Sequence, residues 1–177
     1  NIHRSKIFNI DGIEKSHYDC PIAAVSSNGL YAVSYSFNRQ KSSIGALAYG
    51  YATGHDQNKL VDLPKNEYLQ SLDLSTGAVH KIISLHEIVQ YKTDKTMKGA
   101  FHYFTHALFS PNSKRLLFFH RWINNKNQEF TRMFSVSLSS DDLFLFPTSG
   151  MVSHVAWKND KEILVYADIK GRSEYYV

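Results

Sequence analysis

The sequence is poor in cysteine and has no long apolar run, and each absence excludes a class of protein. Cys20 is the single cysteine among 177 residues, so neither a disulfide framework nor a multi-cysteine metal site is available. No stretch approaches ~18 uninterrupted apolar residues, so no membrane-spanning helix is expected. The 9 glycines and 4 prolines are too few for a fibrous or low-complexity chain.

An excess of charge of one sign is also missing. The 20 Lys and Arg residues against 16 Asp and Glu give a net charge of +4, and no basic run is longer than two residues. A dedicated nucleic-acid surface is therefore not expected. With 43% hydrophobic residues, the composition is that of a folded globular protein.

No targeting signal is visible at the ends of the chain, and their sequences predict that both ends are truncated. The sequence begins Asn1-Ile-His-Arg4, without a charged and then apolar leader, so no secretory signal is visible. A cytoplasmic and a periplasmic location both stay open. The last residues, Glu174–Val177, have the pattern of a strand that is just beginning.

Aromatic residues are abundant, and they favour β structure. The chain has 11 Tyr, 11 Phe and 2 Trp. Short strands separated by turn residues are clearest between His106 and Gly150, and we expect an up-and-down antiparallel sheet there. The four predicted strands are His106–Phe109, Lys114–Trp122, Arg132–Leu138 and Leu143–Phe146.

The same unit recurs along the chain. His154–Trp157 matches His106–Phe109 at a shift of 48 residues, and a looser copy begins at Ile22. A repeat of this length with four strands predicts an all-β, single partial β-propeller domain over residues 1–177, while a β-sandwich is the alternative. The about three blades are expected at about 20–86, 105–150 and 152–177, the last incomplete, with an insertion at about 38–66.

Two segments outside these strands are candidates for single turns of helix. They are Ile13–Asp19 and Glu87–Ala100, neither of which shows a sustained helical period. Since closure of a propeller takes at least four blades, we expect sheet edges that are either open or buried by self-association with a second copy.

Two phrases resemble a known family. Phe104–Trp122, with its Ser-Pro-Asn-Ser-Lys turn, and Met151–Trp157 resemble the oligogalacturonate-lyase-like propellers and, more broadly, TolB-type repeats. The resemblance covers about residues 20–177. It departs from the family pattern at Ser113, where glycine is usual, and at Lys158–Lys161, where Ser-Pro is missing.

The resemblance implies a bacterial protein linked to polysaccharide metabolism, with an oligosaccharide or polysaccharide as partner. In the lyases of this family it also implies a divalent metal such as manganese, held by several histidines and a glutamine. The sequence has no glutamine closely before a His-x-His pattern, so the metal ligands cannot be transferred residue by residue.

His106 and His154 are the first candidate site residues. They hold equivalent positions in successive repeats, and the first strand of each propeller blade lines the central channel. Two such imidazoles are expected to share a metal ion or to bind an anionic sugar, with His102 joining them. The alternative is that each histidine caps backbone groups at the channel mouth.

A second candidate group ends the second strand of the clearest unit. Arg121 is suited to pairing with a carboxylate, and Trp122 to stacking on a sugar ring. The alternative is an edge aromatic beside a solvated arginine. The long insertion adds Tyr49, Tyr51 and His55, for which loop packing and function are both open.

Two functions of different classes follow from these residues. The first is a propeller that binds carbohydrate or protein. The second is a metal-dependent polysaccharide lyase, which needs a base for the proton α to a carboxylate and a cation for the resulting charge. The sequence alone leaves open whether the chain is an enzyme.

Overall fold

The protein is built mainly of β-strands. A computed structural model describes residues 3–42, 62–139, 142–169 and 172–176. Strands account for 48% of the residues and helices for 9%, and the strands form several antiparallel sheets, none of which is closed. This confirms the all-β class. No helix in the described ranges is long and apolar enough to cross a membrane.

The chain starts with a two-stranded hairpin. Strands β1 (Ser5–Phe8) and β2 (Glu14–Tyr18) pair antiparallel. The helical turn expected at Ile13–Asp19 is therefore wrong. The side chain of Asn9 accepts hydrogen bonds from the backbone N–H groups of Asp11 and Ile13, which closes the turn and lets the following residues pair as a strand.

Sheet 1 follows, with its strands in chain order. It contains β3 (Ala24–Val25), β4 (Tyr31–Ser34), β5 (Tyr68–Asp73) and β6 (Val79–Ser84). A 3₁₀ helix at Phe37–Ser42 follows β4 in the chain. The insertion candidates Tyr49, Tyr51 and His55 lie outside the described residues.

A short connector joins sheet 1 to the next sheet. It contains helix α1 (Leu85–Gln90) and a 3₁₀ helix at Lys95–Met97. Ser84 and Glu87 form a reciprocal capping box at the start of α1. The helical turn expected between Glu87 and Ala100 is therefore present, beginning two residues earlier.

Sheet 2 contains the longest strands and lies in the middle of the core. It contains β7 (Phe101–Phe109), β8 (Arg115–Ile123), β9 (Glu129–Ser137) and β10 (Phe144–Leu145), again in chain order. Strand β7 begins five residues before the predicted start at His106, because pairing with β8 continues to Phe101. His106 is therefore inside a strand.

Sheet 3 has three strands. They are β11 (Val152–Trp157), β12 (Ile163–Ile169) and β13 (Arg172–Tyr176). Sheets 1 and 3 cover opposite faces of sheet 2. Because side chains alternate along β8, Phe118 packs towards sheet 1 and α1, and Phe119 packs towards sheet 3. Both rings are fully buried, which explains the nearly continuous apolar run of this strand.

The turns that join the first two strands of sheets 1 and 2 have the same hydrogen bonds. In each turn a serine hydroxyl bonds an asparagine Oδ1 two residues later and accepts from the N–H five residues later. The residue after the asparagine has positive φ, 70° at Gly29 and 62° at Ser113. The shift of 84 residues is the one that aligns Ile22 with His106.

These turns also contact one another from sheet to sheet. The hydroxyls of Ser27 and Ser113 are 2.9 Å apart, and the backbone N–H of Asn112 donates to Asp160 at 2.7 Å. Equivalent turns of the three sheets therefore lie side by side.

A test of this turn is the substitution Ser110→Ala. Ser110 is 1% exposed, and its hydroxyl is the acceptor for the Arg115 N–H at 3.0 Å. We expect a loss of about 1–3 kcal/mol in the free energy of unfolding, because a buried donor loses its acceptor. Denaturant unfolding measures it, with Ser16→Ala in β2 as the control. Equal stability of the two variants would contradict the assigned role of the hydroxyl.

Candidate ligand site on the inner strands

The histidine pair is carried by two matching irregularities in the strands. His106 has φ 53° and His154 has φ 50°, and the strand register shifts at both places. A positive φ is uncommon for residues other than glycine, and such positions concentrate at functional sites. The equivalence read from the sequence therefore extends to backbone conformation.

Each of these imidazoles is oriented by the residue before it. Thr105 Oγ1 is 2.7 Å from Nδ1 of His106, and Ser153 Oγ is 2.7 Å from Nδ1 of His154. The hydroxyl contact fixes the ring and leaves Nε2 for a ligand. His106 is half-buried and stacks on Phe119 with ring centres 4.9 Å apart, whereas His154 is exposed.

His106, His154 and Arg121 share one electrostatic environment. The pKa of His106 is lowered to about 4, first by burial and then by electrostatic interaction with Arg121 and His154. The imidazole of His106 is therefore neutral at pH 7. An anion bound beside it would oppose both electrostatic contributions.

Arg121 lies on the face of sheet 2 that carries Phe119, the ring on which His106 stacks. Its side chain is almost completely buried, and Nη1 is 3.5 Å from Oε1 of Glu129. Tyr103 donates its hydroxyl proton to the same carboxylate. Among the described residues, the buried Nε of Arg121 has no acceptor. Arg121 is therefore neither solvated nor saturated, in contrast to the solvated arginine considered from the sequence.

A cavity of about 220 Å³ adjoins His106. Ile22 and Ala23 line it from sheet 1, and Thr105 and Ala107 line it from sheet 2. Ile22, the residue aligned with His106 in the first repeat, thus borders the same space. The inner strands of the two sheets meet there.

His102 lies on the face of sheet 2 opposite to Phe119 and Arg121, and it does not line this cavity. Its Nδ1 is 3.0 Å from Nε2 of His120, and its Nε2 is 3.2 Å from the carbonyl oxygen of Met97. Arg132 donates through Nε to Nδ1 of His120 at 3.0 Å. The expectation that His102 joins His106 is not met by this arrangement.

The hydrogen bonds that link Arg132, His120 and His102 determine the tautomers of both histidine rings. Arginine Nε can only donate, so Nδ1 of His120 accepts and the proton of the neutral ring is on Nε2. That proton is donated to His102 Nδ1, and His102 Nε2–H then donates to Met97. Burial lowers the pKa of His102 to about 4 and that of His120 well below its usual value. Both rings are neutral structural links.

Trp122 is on this second face as well. Its ring lies between those of His120 and Phe130, with ring centres 5.3 and 5.4 Å away and small interplanar angles. Its Nε1–H donates to Thr96 Oγ1 at 3.0 Å. Since both faces of the indole are covered, Trp122 has no free face on which a sugar ring could stack.

The sequence reasoning did not single out His120 or Arg132. The short loop after Ile123 could have identified this pair. Because Ile123 pairs with Glu129 across the hairpin, each step back along β8 matches one step forward along β9, which places Arg132 opposite His120. A polar pair on a strand predicted to be buried on both faces would then have indicated a buried network.

Binding of a divalent metal such as manganese by His106 and His154 stays a prediction. Among the described residues, no three or more His, Cys, Asp or Glu side chains are grouped so that they could hold a metal ion. Manganese prefers oxygen ligands, and the pair offers imidazole nitrogens.

Comparisons with family models, with curated proteins and with solved structures find no match to this chain.

Proposed function

We propose that sheets 1, 2 and 3 are consecutive blades of an incomplete β-propeller of the oligogalacturonate-lyase-like or TolB-like kind. The strands of each sheet follow in chain order, and equivalent turns of neighbouring sheets are in contact. Both features are typical of propeller blades. The open outer faces and edges would then be covered by further blades or by a second copy of the chain.

We propose further that the inner strands bind an acidic glycan, an oligosaccharide or polysaccharide that carries carboxylate groups. The observation that carries this proposal is the pair of positive-φ histidines, each oriented by a neighbouring hydroxyl. Arg121 supplies a positive charge with one unused N–H behind them. Nitrogen donors beside a cation suit a carboxylate, and the resemblance to polysaccharide-linked propellers favours a sugar as its carrier.

A uronate lyase is the second candidate, and the geometry favours it less. A neutral histidine beside an arginine has the residue types for proton abstraction next to a carboxylate. However, a pKa of about 4 makes His106 a weak base at neutral pH. Appearance of unsaturated uronate product, followed by ultraviolet absorbance, would identify a lyase directly.

The test is binding of oligogalacturonate by isothermal titration calorimetry, with neutral oligogalactose as the uncharged comparison. We expect binding of the acidic glycan only, with affinity rising as the pH falls from 7 to 6, where the protein stays folded, because a bound anion raises the pKa of His106. The double variant His106→Ala, His154→Ala should weaken binding by about tenfold or more.

The matched control is His17→Ala, which removes an exposed histidine from the N-terminal hairpin. It should bind as the parent chain does. Equal affinity for charged and neutral glycans, or loss of binding in the control alone, would overturn the proposed site. Binding that survives the double variant unchanged would make the two histidines architectural.

A further inference from the structure

A second cavity lies on the face of sheet 2 that carries His120 and Trp122, and the proposed glycan site does not use it. Its volume is about 400 Å³, within the range of small-molecule sites. The connector contributes its Lys92–Met97 side, β8 and β9 contribute Trp122, Phe130 and Arg132, and Thr148–Gly150 closes the third side. Three separate segments of the chain thus converge on one space.

The wall of this cavity contains a buried positive charge without a carboxylate in contact. Arg132 is 5% exposed, and it forms no ion pair with any described residue. It donates to His120 and to the carbonyl oxygens of Ile88, Tyr91 and Lys92. These bonds use four of its five N–H groups, so one N–H of Nη2 is without an acceptor in the described part.

The mouth of the cavity adds positive charge. Lys92 and Lys95 are exposed at its rim, against a single carboxylate, Asp94. Asp94 Oδ1 accepts from the N–H and the hydroxyl of Thr96 at 2.7 and 2.6 Å, and the carboxylate keeps its negative charge. Since it offsets only one of the three cations Arg132, Lys92 and Lys95, the lining of the cavity has a net positive charge that a ligand can meet.

A buried hydroxyl lies beside the same cavity. Thr148 lines the cavity, and its Oγ1 is buried with no hydrogen-bond partner among the described residues, so it reaches a ligand only when the side chain turns towards the cavity. A buried hydroxyl without a partner costs free energy that a bound acceptor would recover, which favours that rotation. This observation is independent of the charge of Arg132.

We propose that this cavity binds a small ligand through an oxyanion group, a phosphate or a carboxylate. Arg132 and Thr148 donate to the oxyanion from within, and Lys92 and Lys95 attract it at the mouth. The aromatic edges of Trp122 and Phe130 form the apolar side of the cavity and suit the rest of a small ring-bearing molecule. The site is separate from the proposed glycan site and does not depend on it.

Calorimetric titration with inorganic phosphate and, separately, with acetate tests the proposal. Binding of either anion supports an oxyanion site and identifies its chemistry, and binding of neither overturns it. The double variant Lys92→Gln, Lys95→Gln and the variant Thr148→Val should each weaken the binding, by about tenfold for the double variant. Arg132 is left intact here because its replacement is expected to damage the fold.

Two controls make the result specific. Lys15→Gln combined with Lys114→Gln removes the same charge from exposed positions outside the cavity, and it should leave anion affinity unchanged. His106→Ala, on the opposite face, should also leave it unchanged. Equal weakening by the cavity and control lysine pairs, or unaltered affinity in Thr148→Val, would refute a site at this position.

Discussion

Replacing Arg132 with methionine is expected to lower the free energy of unfolding by about 3–5 kcal/mol, because several buried acceptors lose their donor at once. The substitution removes donors from Nδ1 of His120 and from the carbonyl oxygens of Ile88, Tyr91 and Lys92. Three of these groups end helix α1 and hold the connector against sheet 2. Methionine keeps most of the apolar volume that packs on Phe134.

The same change should release the backbone of the connector. Lys92 has φ 48°, an uncommon value for a residue with a side chain, and its carbonyl accepts from Arg132. Without that bond, Tyr91 and Lys92 should exchange their amide hydrogens faster. Arg132→Lys should lie between the parent and Arg132→Met, because one ammonium group cannot reach all four acceptors.

Denaturant unfolding and hydrogen exchange measure these effects. The control is Arg4→Met, at an arginine whose side chain is 70% exposed and pairs with Asp19 on the surface. That variant should be close to the parent in stability. A loss below ~1 kcal/mol in Arg132→Met would show that water replaces the guanidinium and that the chain of bonds is not a structural link.

Acid is expected to unfold this protein well before its carboxylates are protonated. His102, His106 and His120 have a lowered pKa in the folded protein, chiefly through burial, and they recover the ordinary value when the chain unfolds. Between the folded pKa and pH 6.5 the unfolded chain therefore binds more protons. Stability is full above pH 6.5 and falls as the pH decreases, by about 1.4 kcal/mol per pH unit for each such histidine.

The two buried rings, His102 and His120, together lose about 4 kcal/mol at pH 5, a large part of the stability of a typical domain. The half-buried His106 adds a smaller loss, because solvent screens its charge. Protonation of His120 would also place a charge against Arg132 and break the bond that Nδ1 accepts. Carboxylates whose pKa is lowered by capping bonds, such as Glu87 and Asp94, act only at lower pH. The histidines therefore govern this window.

Denaturant titrations at pH 7.5, 6 and 5 measure the slope. His106→Asn removes one of the three groups while keeping a residue that tolerates positive φ, so its stability should depend less on pH than that of the parent. His17→Ala should keep the parent slope, because His17 is exposed. A parent stability that is flat between pH 7.5 and 5 would contradict this account.

The local pattern of the chain determined the strands and their grouping. Alternating and continuous apolar runs predicted the strands of sheet 2, since a strand must bury one face or both. Turn residues predicted where strands end, and the repeated Ser-x-Asn turn aligned Ile22 with His106. The second strand of the N-terminal hairpin, β2, was expected as a turn of helix, because the turn formed by Asn9 and Gly12 has too little apolar signal beside it.

The sequence alone determined which residues are equivalent, and the tertiary structure decided which of them can meet a ligand. His102 and His106 are four positions apart on one strand, a spacing that normally puts two side chains on the same face. The register shift after Thr105 places them on opposite faces of sheet 2. The rings of His120 and Phe130 cover both faces of Trp122, and Arg132 lines a cavity. These outcomes depend on contacts between residues distant along the chain, which a local pattern does not contain.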